Sequence, residues 1–385
     1  MKIRYSQPDI NNIDILQVKK ILKNTFLTQG KKSLEFEKKI SSFCKSKYSV
    51  VTNSATSSLY LAYKALGLGK NDNLWTSANT FSATSNSALQ CGAKVDFIDI
   101  DPDTYNISIE SLKKKLLKAK KKDLPKIVVP VHMGGLPCDL EKIHKLSKEY
   151  NFRIVEDASH AIGSFYKKRP IGSCMFSDIT VFSFHAIKVL TTGEGGAAVT
   201  NNKKYFDRMK ILRSHGITSD SKKFKKNNKN EILNYQQIDL GFNFRLTEFQ
   251  CALGLSQLKR LNKIILKRKK IAKIYDKAFS GTKLKLPFKS KDYESCYHLY
   301  IIRLDNYKKI NQRQIYYKMK KIGIELNVHY IPVYLHPFYQ KIGFKKKYCP
   351  ESERYFQNAL SLPLHTKLYK KEQKKIIKIL LELIK

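Results

Sequence analysis

The order of hydrophobic and polar positions gives the chain two different rhythms. Between residues 43 and 200, short apolar or β-branched runs alternate with helix-length segments. YSVVT (48–52), NLWTS (73–77), KVDFIDI (94–100), KIVVPVH (126–132), RIVEDAS (153–159), ITVFSF (179–184) and AAVTN (197–201) predict strands, because β-branched and aromatic side chains suit a pleated surface. Most are separated by enough chain for a crossover helix, which predicts a mostly parallel sheet covered on both faces; the last two read as a hairpin-like return. SLKKKLLKAKKKD (111–123) sets Leu112, Leu116 and Ala119 at helical spacing, a surface helix with its apolar side inward. After about residue 245 the pattern changes. The segment 247–279 reads as one long helix with Phe249, Ala252, Leu255, Leu258, Leu261 and Ile265 on one stripe. A strand CYHLYIIRL (296–304), a helix near 311–321, a strand ELNVHY (325–330) and an amphipathic terminal helix follow. The fold class is α/β, with a large domain over 1–245 and a smaller α+β domain over 246–385.

Composition narrows the class. The 385 residues include 62 Lys and 11 Arg against 32 Asp plus Glu, a net charge of +41, yet 42% are hydrophobic and 11% aromatic. A disordered polycation lacks that much buriable surface. No apolar stretch approaches the ~18 residues of a membrane-spanning helix, and MKIRYSQPDINN lacks a signal-peptide core. A cytoplasmic protein is therefore expected. Seven scattered cysteines, never in a CxxC, suggest reduced, packed thiols rather than a metal site or a disulfide framework. The charge raises nucleic-acid binding as an alternative. Against it, the lysines are spread over surface helices and an exposed segment, 219–231, while bidentate phosphate readout favours Arg.

Three strand ends carry polar residues that a sheet interior would reject. The first strand passes into a helix through Asn53-Ser54-Ala55-Thr56-Ser57-Ser58. Unpaired N–H groups at a helix start, with hydroxyls added, form a phosphate cup, although ordinary N-capping gives the same pattern. Asp157 lies just past RIV, with His160 three residues on; it either caps the next helix or faces a cationic heteroaromatic ligand. Ser183, Phe184, His185 and Lys188 precede the glycine-rich GEGG, where a lysine in a restricted pocket can bond to a carbonyl cofactor. Together these ends match pyridoxal phosphate (PLP), and Phe81 is placed to cover its ring.

Those motifs, with FLTQG (26–30), TFSAT, VEDASHAIGS, RSHG (213–216), GFNFRLTEFQCALG, VHYIPVY and ALSLPLH (359–365), resemble the DegT-type sugar aminotransferases along essentially the whole chain. The resemblance implies an aspartate-aminotransferase-like (fold-type I) three-layer domain with a smaller C-terminal domain. It implies that Lys188 bonds the cofactor, Asp157 pairs with the pyridinium nitrogen and His160 lies beside the 3′-oxygen. Thr56, Ser183 and Ala55 would meet the phosphate, joined by Asn243 of the partner subunit, so a homodimer with shared sites is expected. SFHAIK, CYHLY, NVHYIPVY and SLPLH point within the family to amination at C4 of UDP-4-keto-6-deoxy-N-acetyl-β-L-altrosamine, with L-glutamate as donor, in pseudaminic acid biosynthesis. Another UDP- or dTDP-4-keto-6-deoxy sugar is the alternative. Phe26, His185, Arg245, His215 and His329 are candidates for substrate contact; a structural ion pair explains Arg245 equally well, and a satisfied structural histidine explains His329 better. Some relatives carry histidine in place of the lysine and dehydrate sugars, so Lys188 favours transamination.

Overall fold

Seven strands form the central sheet of the computed structural model, which describes residues 2–23, 26–225 and 234–385. They are β1 (Tyr48–Thr52), β2 (Asn73–Ser77), β3 (Lys94–Ile98), β4 (Ile127–Val129), β5 (Arg153–Asp157), β6 (Ile179–Ser183) and β7 (Gly196–Thr200). Their order is β1-β7-β6-β5-β4-β2-β3. From β6 across to β3 every pairing is parallel, while β7 runs antiparallel to both β1 and β6. That is the mostly parallel sheet with a terminal return read from the sequence. Several strands stop short of their predicted ends, at Ile98, Val129 and Asp157. Pro130 has no N–H for a ladder, and beyond it only an isolated bridge joins Val131 to Asp157.

Consecutive side chains divide between the two faces. Val51, Ile154 and Phe182 join a core with Trp75, Leu112 and Leu116. Their neighbours Val50, Val155 and Val181 pack with Leu59, Ala62, Met209 and Leu212. The first two of those last four lie on the helix Ala55–Ala65 and the others on Lys203–Arg213. A period of two along strands buried on both faces gives this partition.

Two elements differ from the sequence expectation. The long helix is divided at Arg260 (φ −112°, ψ 8°) into Glu248–Lys259 and Leu261–Phe279. The Arg260 guanidinium is held there by Asp9 at 2.9 Å and Asp14 at 2.7 Å. Leu255, Leu261 and Ile265 belong to the large-sheet core, whereas Ile271, Tyr275 and Phe279 belong to a second cluster with Ile3, Ile315 and Met319. Secondly, ELNVHY is not a strand. Only Asn327 makes a bridge, to Ser361, because the partner of Tyr300–Arg303 is Ala359–Leu362. Released from a sheet, residues 327–330 line a cavity instead.

The C-terminal helix Lys370–Leu383 docks on its own chain, burying Gln373, Ile376 and Leu380. All seven cysteines are buried and unpaired. Of the Lys-rich segment, 219–225 is mostly exposed around a short turn at Ser221–Lys223; 226–231 lies outside the described residues. Among the described residues no helix is long and apolar enough to cross a membrane.

Candidate active site

Ligands of parallel sheets bind beyond the carboxyl ends of the strands, and a cavity of about 560 Å³ lies there. Ala55, Thr56, Phe81, Asp157, His160, Ser183, His185, Lys188 and His329 all line it. Three of its walls grow directly from strand ends.

The first wall is the start of the helix Ala55–Ala65. Ser54 is its N-cap, and the Ser54 hydroxyl accepts the Ser57 N–H at 3.1 Å. The first N–H groups of a helix have no partner within it, and the helix dipole favours an anion at that end. Gly196, opposite Thr52 in the β1–β7 pair, lets the chain close up: a Cβ there would stand 2.6 Å from the Ala55 nitrogen and the Ser54 oxygen. Ser183, at the end of β6, is buried beside this cup.

The second wall is the end of β5. The Asp157 carboxylate accepts the Thr84 hydroxyl at 2.7 Å and the Ser159 N–H at 3.1 Å; Thr84 is itself 2.8 Å from the Thr80 hydroxyl. On the opposite face Glu156 accepts from Thr180 at 2.8 Å, from Ser177 and from His132 Nε2 at 2.8 Å. His132 Nδ1 accepts the Cys138 N–H at 2.9 Å, which puts the ring hydrogen on Nε2. The His132 backbone N–H donates to the Asp157 carbonyl at 3.1 Å. Hydrogen bonds on both sides of β5 thus fix where the Asp157 carboxylate sits.

The third wall carries Lys188. Its ammonium makes no hydrogen bond or ion pair to any described residue, and burial pulls its pKa from 10.5 to about 8, against an opposing pull from Asp157. A half-buried amine with no partner, aimed into a cavity with a carboxylate, is a nucleophile held ready. Capture of a carbonyl needs the neutral amine. If Lys188 bonds a carbonyl cofactor, as the sequence resemblance implies, the rate at which the cofactor-free protein captures pyridoxal phosphate should rise about tenfold per pH unit below 8 and level off above it. Stopped-flow absorbance across pH 6–10 (roughly two units either side) checks this; a flat profile contradicts it.

Around these walls, His160 Nδ1 accepts the Gly134 N–H at 3.3 Å and its Nε2 meets the Tyr330 hydroxyl at 3.0 Å. Burial and then Lys188 hold His160 well below the usual histidine range. Burial and Lys188 likewise lower His329 to about 3. Its Nε2 accepts from the Asn327 amide at 3.2 Å, and its Nδ1 lies 2.8 Å from the Ser361 hydroxyl. His185 stands 3.7 Å from Glu194. Phe81 is exposed at the rim, 6.0 Å from the Tyr330 ring.

Four expected residues are not brought to this cavity within one chain. Phe26, His215 and Asn243 are exposed and Arg245 is half-buried, and none of them lines it. Tyr5, Glu194, Asn327 and Tyr330 line the cavity as well, and no sequence pattern marks them for that role. Asn327 and Tyr330 belong to NVHYIPVY, but nothing in their spacing singles them out.

An anion cup, a buried carboxylate and an unpaired lysine around one cavity of a mostly parallel sheet define the class of PLP enzymes of fold-type I, and the residues present fit that cofactor. The chain belongs to the DegT/DnrJ/EryC1/StrS aminotransferase family, whose model matches residues 8–381. It is 39% identical over 373 residues to the UDP-4-amino-4,6-dideoxy-N-acetyl-beta-L-altrosamine transaminase of Campylobacter jejuni subsp. jejuni serotype O:23/36, covering 97% of this chain and 95% of the relative. The solved structure of Helicobacter pylori PseC, an aminotransferase involved in the biosynthesis of pseudoaminic acid, superposes with a TM-score of 0.89 at 32% identity, over 100% of this chain and 99% of that one. Streptococcus pneumoniae Spr1654 in its PLP-form gives 0.90 at 30% identity, over 100% and 98%. The protein is an aminotransferase, and pyridoxal 5′-phosphate is its cofactor.

Proposed function

We propose that this aminotransferase moves the amino group of L-glutamate to C4 of UDP-4-keto-6-deoxy-N-acetyl-β-L-altrosamine, a step toward pseudaminic acid. The observation that carries the chemistry is the partnerless Lys188 amine facing the cavity that Asp157 also lines. The near full-length similarity to the Campylobacter transaminase supports the choice of sugar.

When bound, pyridoxal phosphate supplies an electron sink through which an amino group and a carbonyl oxygen are exchanged. In this reading the Ala55 and Thr56 N–H groups, with the Thr56 and Ser183 hydroxyls, hold its phosphate. Asp157 holds the proton on the pyridine nitrogen, His160 stands beside the 3′-oxygen and Phe81 covers the ring. Lys188 holds the cofactor at rest and, once freed, moves a proton away from Cα of glutamate and later onto C4 of the sugar. His185 and His329 contact substrate from within the chain. Phe26, Arg245 and His215, together with Asn243 of the partner subunit, serve the site of a homodimer, the cations facing the UDP diphosphate. Residues 1–245 act as the cofactor-binding unit and 246–385 as the smaller unit, with Ile3 and the run from Leu246 to Ile265 packing across the division.

Incubating the purified protein with L-glutamate and each UDP- or dTDP-4-keto-6-deoxy sugar in turn, and reading products by NMR, tests the substrate. The expected result is a 4-amino product from the altrosamine-series sugar at the highest kcat/KM. Preference for another 4-keto sugar would replace the substrate and leave the aminotransferase assignment standing.

A further inference from the structure

Tyr330 has no part in the roles assigned above, yet its surroundings prescribe one. Its backbone N–H donates to the Asn79 side chain at 2.9 Å. Its ring lies nearly parallel to His160, 25° between planes and 6.1 Å between centroids. The direction of its hydroxyl follows from His160. Because His160 Nδ1 accepts the Gly134 N–H, the single hydrogen of the neutral imidazole is on Nε2. That hydrogen is donated to the Tyr330 oxygen. The phenol is thus filled as an acceptor, while its own hydrogen has no acceptor among the described residues. Burial pushes the phenol pKa up, so the hydrogen stays in place across the working range.

The surroundings of this donor favour one kind of acceptor. Tyr5, Phe81, Val328, His329 and Tyr330 give the cavity an aromatic and apolar side. Lys188 is the only Lys or Arg among the described residues that line the cavity. A glutamate carboxylate is best met by a cation, whereas the ring of a sugar presents C–H faces and uncharged oxygens. Few, well-directed polar groups in an apolar wall are how small-molecule sites fix orientation. Resting on the sugar-aminotransferase reading above, we propose that the Tyr330 hydroxyl, oriented by His160, donates a hydrogen bond to an oxygen of the keto-sugar substrate and serves the sugar half of the reaction alone.

The test is Tyr330→Phe, which removes one oxygen and keeps the ring, assayed separately in the two half-reactions. Loading by L-glutamate is followed as bleaching of the visible cofactor band, and discharge by the keto sugar as its return. Loading should stay within about twofold of wild type, while kcat/KM for discharge falls roughly 10- to 100-fold. The band and the thermal midpoint of the unloaded variant should match wild type. Equal slowing of both half-reactions, no slowing of discharge, or loss of the band would each overturn the proposal. A wild-type band that glutamate leaves unchanged would instead overturn the aminotransferase reading beneath it.

Discussion

Lys188→Ala is expected to lose turnover by ~10⁴-fold or more, the largest effect in the molecule, because in the proposed function one side chain both holds the cofactor and moves the proton. The variant should fold. Lys188 makes no hydrogen bond or ion pair to any described residue, and truncation removes a desolvated amine rather than a packed apolar group. Melting temperature and far-UV circular dichroism should therefore stay near wild type while the covalent cofactor signal disappears. Added pyridoxal phosphate should still bind, more weakly, through the helix start at Ser54–Thr56 and through Asp157. Residual activity near wild type would remove Lys188 from its role whatever the fold resembles.

Asp157→Asn should rank second, with turnover lowered roughly 10²- to 10³-fold, the scale of losing one preorganised electrostatic partner. The cause is the loss of charge rather than of shape. Asn occupies the same volume, and the Ser159 N–H can still donate to its oxygen, as it does to Asp157 at 3.1 Å. The new NH₂ would then face the Thr84 hydroxyl, which turns to accept it. A neutral amide no longer holds a proton on the pyridine nitrogen, so the cofactor is retained while its electron demand falls. Single-turnover loading with L-glutamate, alongside cofactor affinity, checks this. A variant with unchanged loading rate and weakened binding would make Asp157 an anchor only.

The two effects fall on residues the sequence displayed openly, for a physical reason. Thr56, Asp157 and Lys188 stand just beyond apolar strands, where a polar side chain has no place in the sheet and must meet a ligand, a cap or solvent. The strands themselves were visible because a sheet buried on both faces is written as unbroken apolar runs. Tyr330 was hidden. Leu326 and Val328 alternate with polar neighbours as in a strand, and only the pairing of Tyr300–Arg303 with Ala359–Leu362 leaves that segment free to line the cavity. The division of the long helix was hidden too, since it depends on Asp9 and Asp14, about 250 positions from Arg260. Phe26, His215, Asn243 and Arg245 illustrate a different limit: motifs identify residues, but one chain does not say whose cavity they serve.

The charge of +41 is not concentrated at the cavity. Lys188 is the only Lys or Arg among the described residues lining the cavity, which Asp157 and Glu194 line as well. On the proposed function, the surplus lysines would add a general positive field that favours approach of a dianionic nucleotide sugar.

In the proposed function, Lys188 carries pyridoxal phosphate and passes amino groups from glutamate through it. The most direct measurement is the visible absorption spectrum of the purified, cofactor-loaded protein before and after L-glutamate, with Lys188→Ala beside it. A visible band that L-glutamate bleaches is expected in the wild type, and no such band in the variant. A wild-type spectrum indifferent to glutamate, or a variant that shows the same band bleached in the same way, would contradict it.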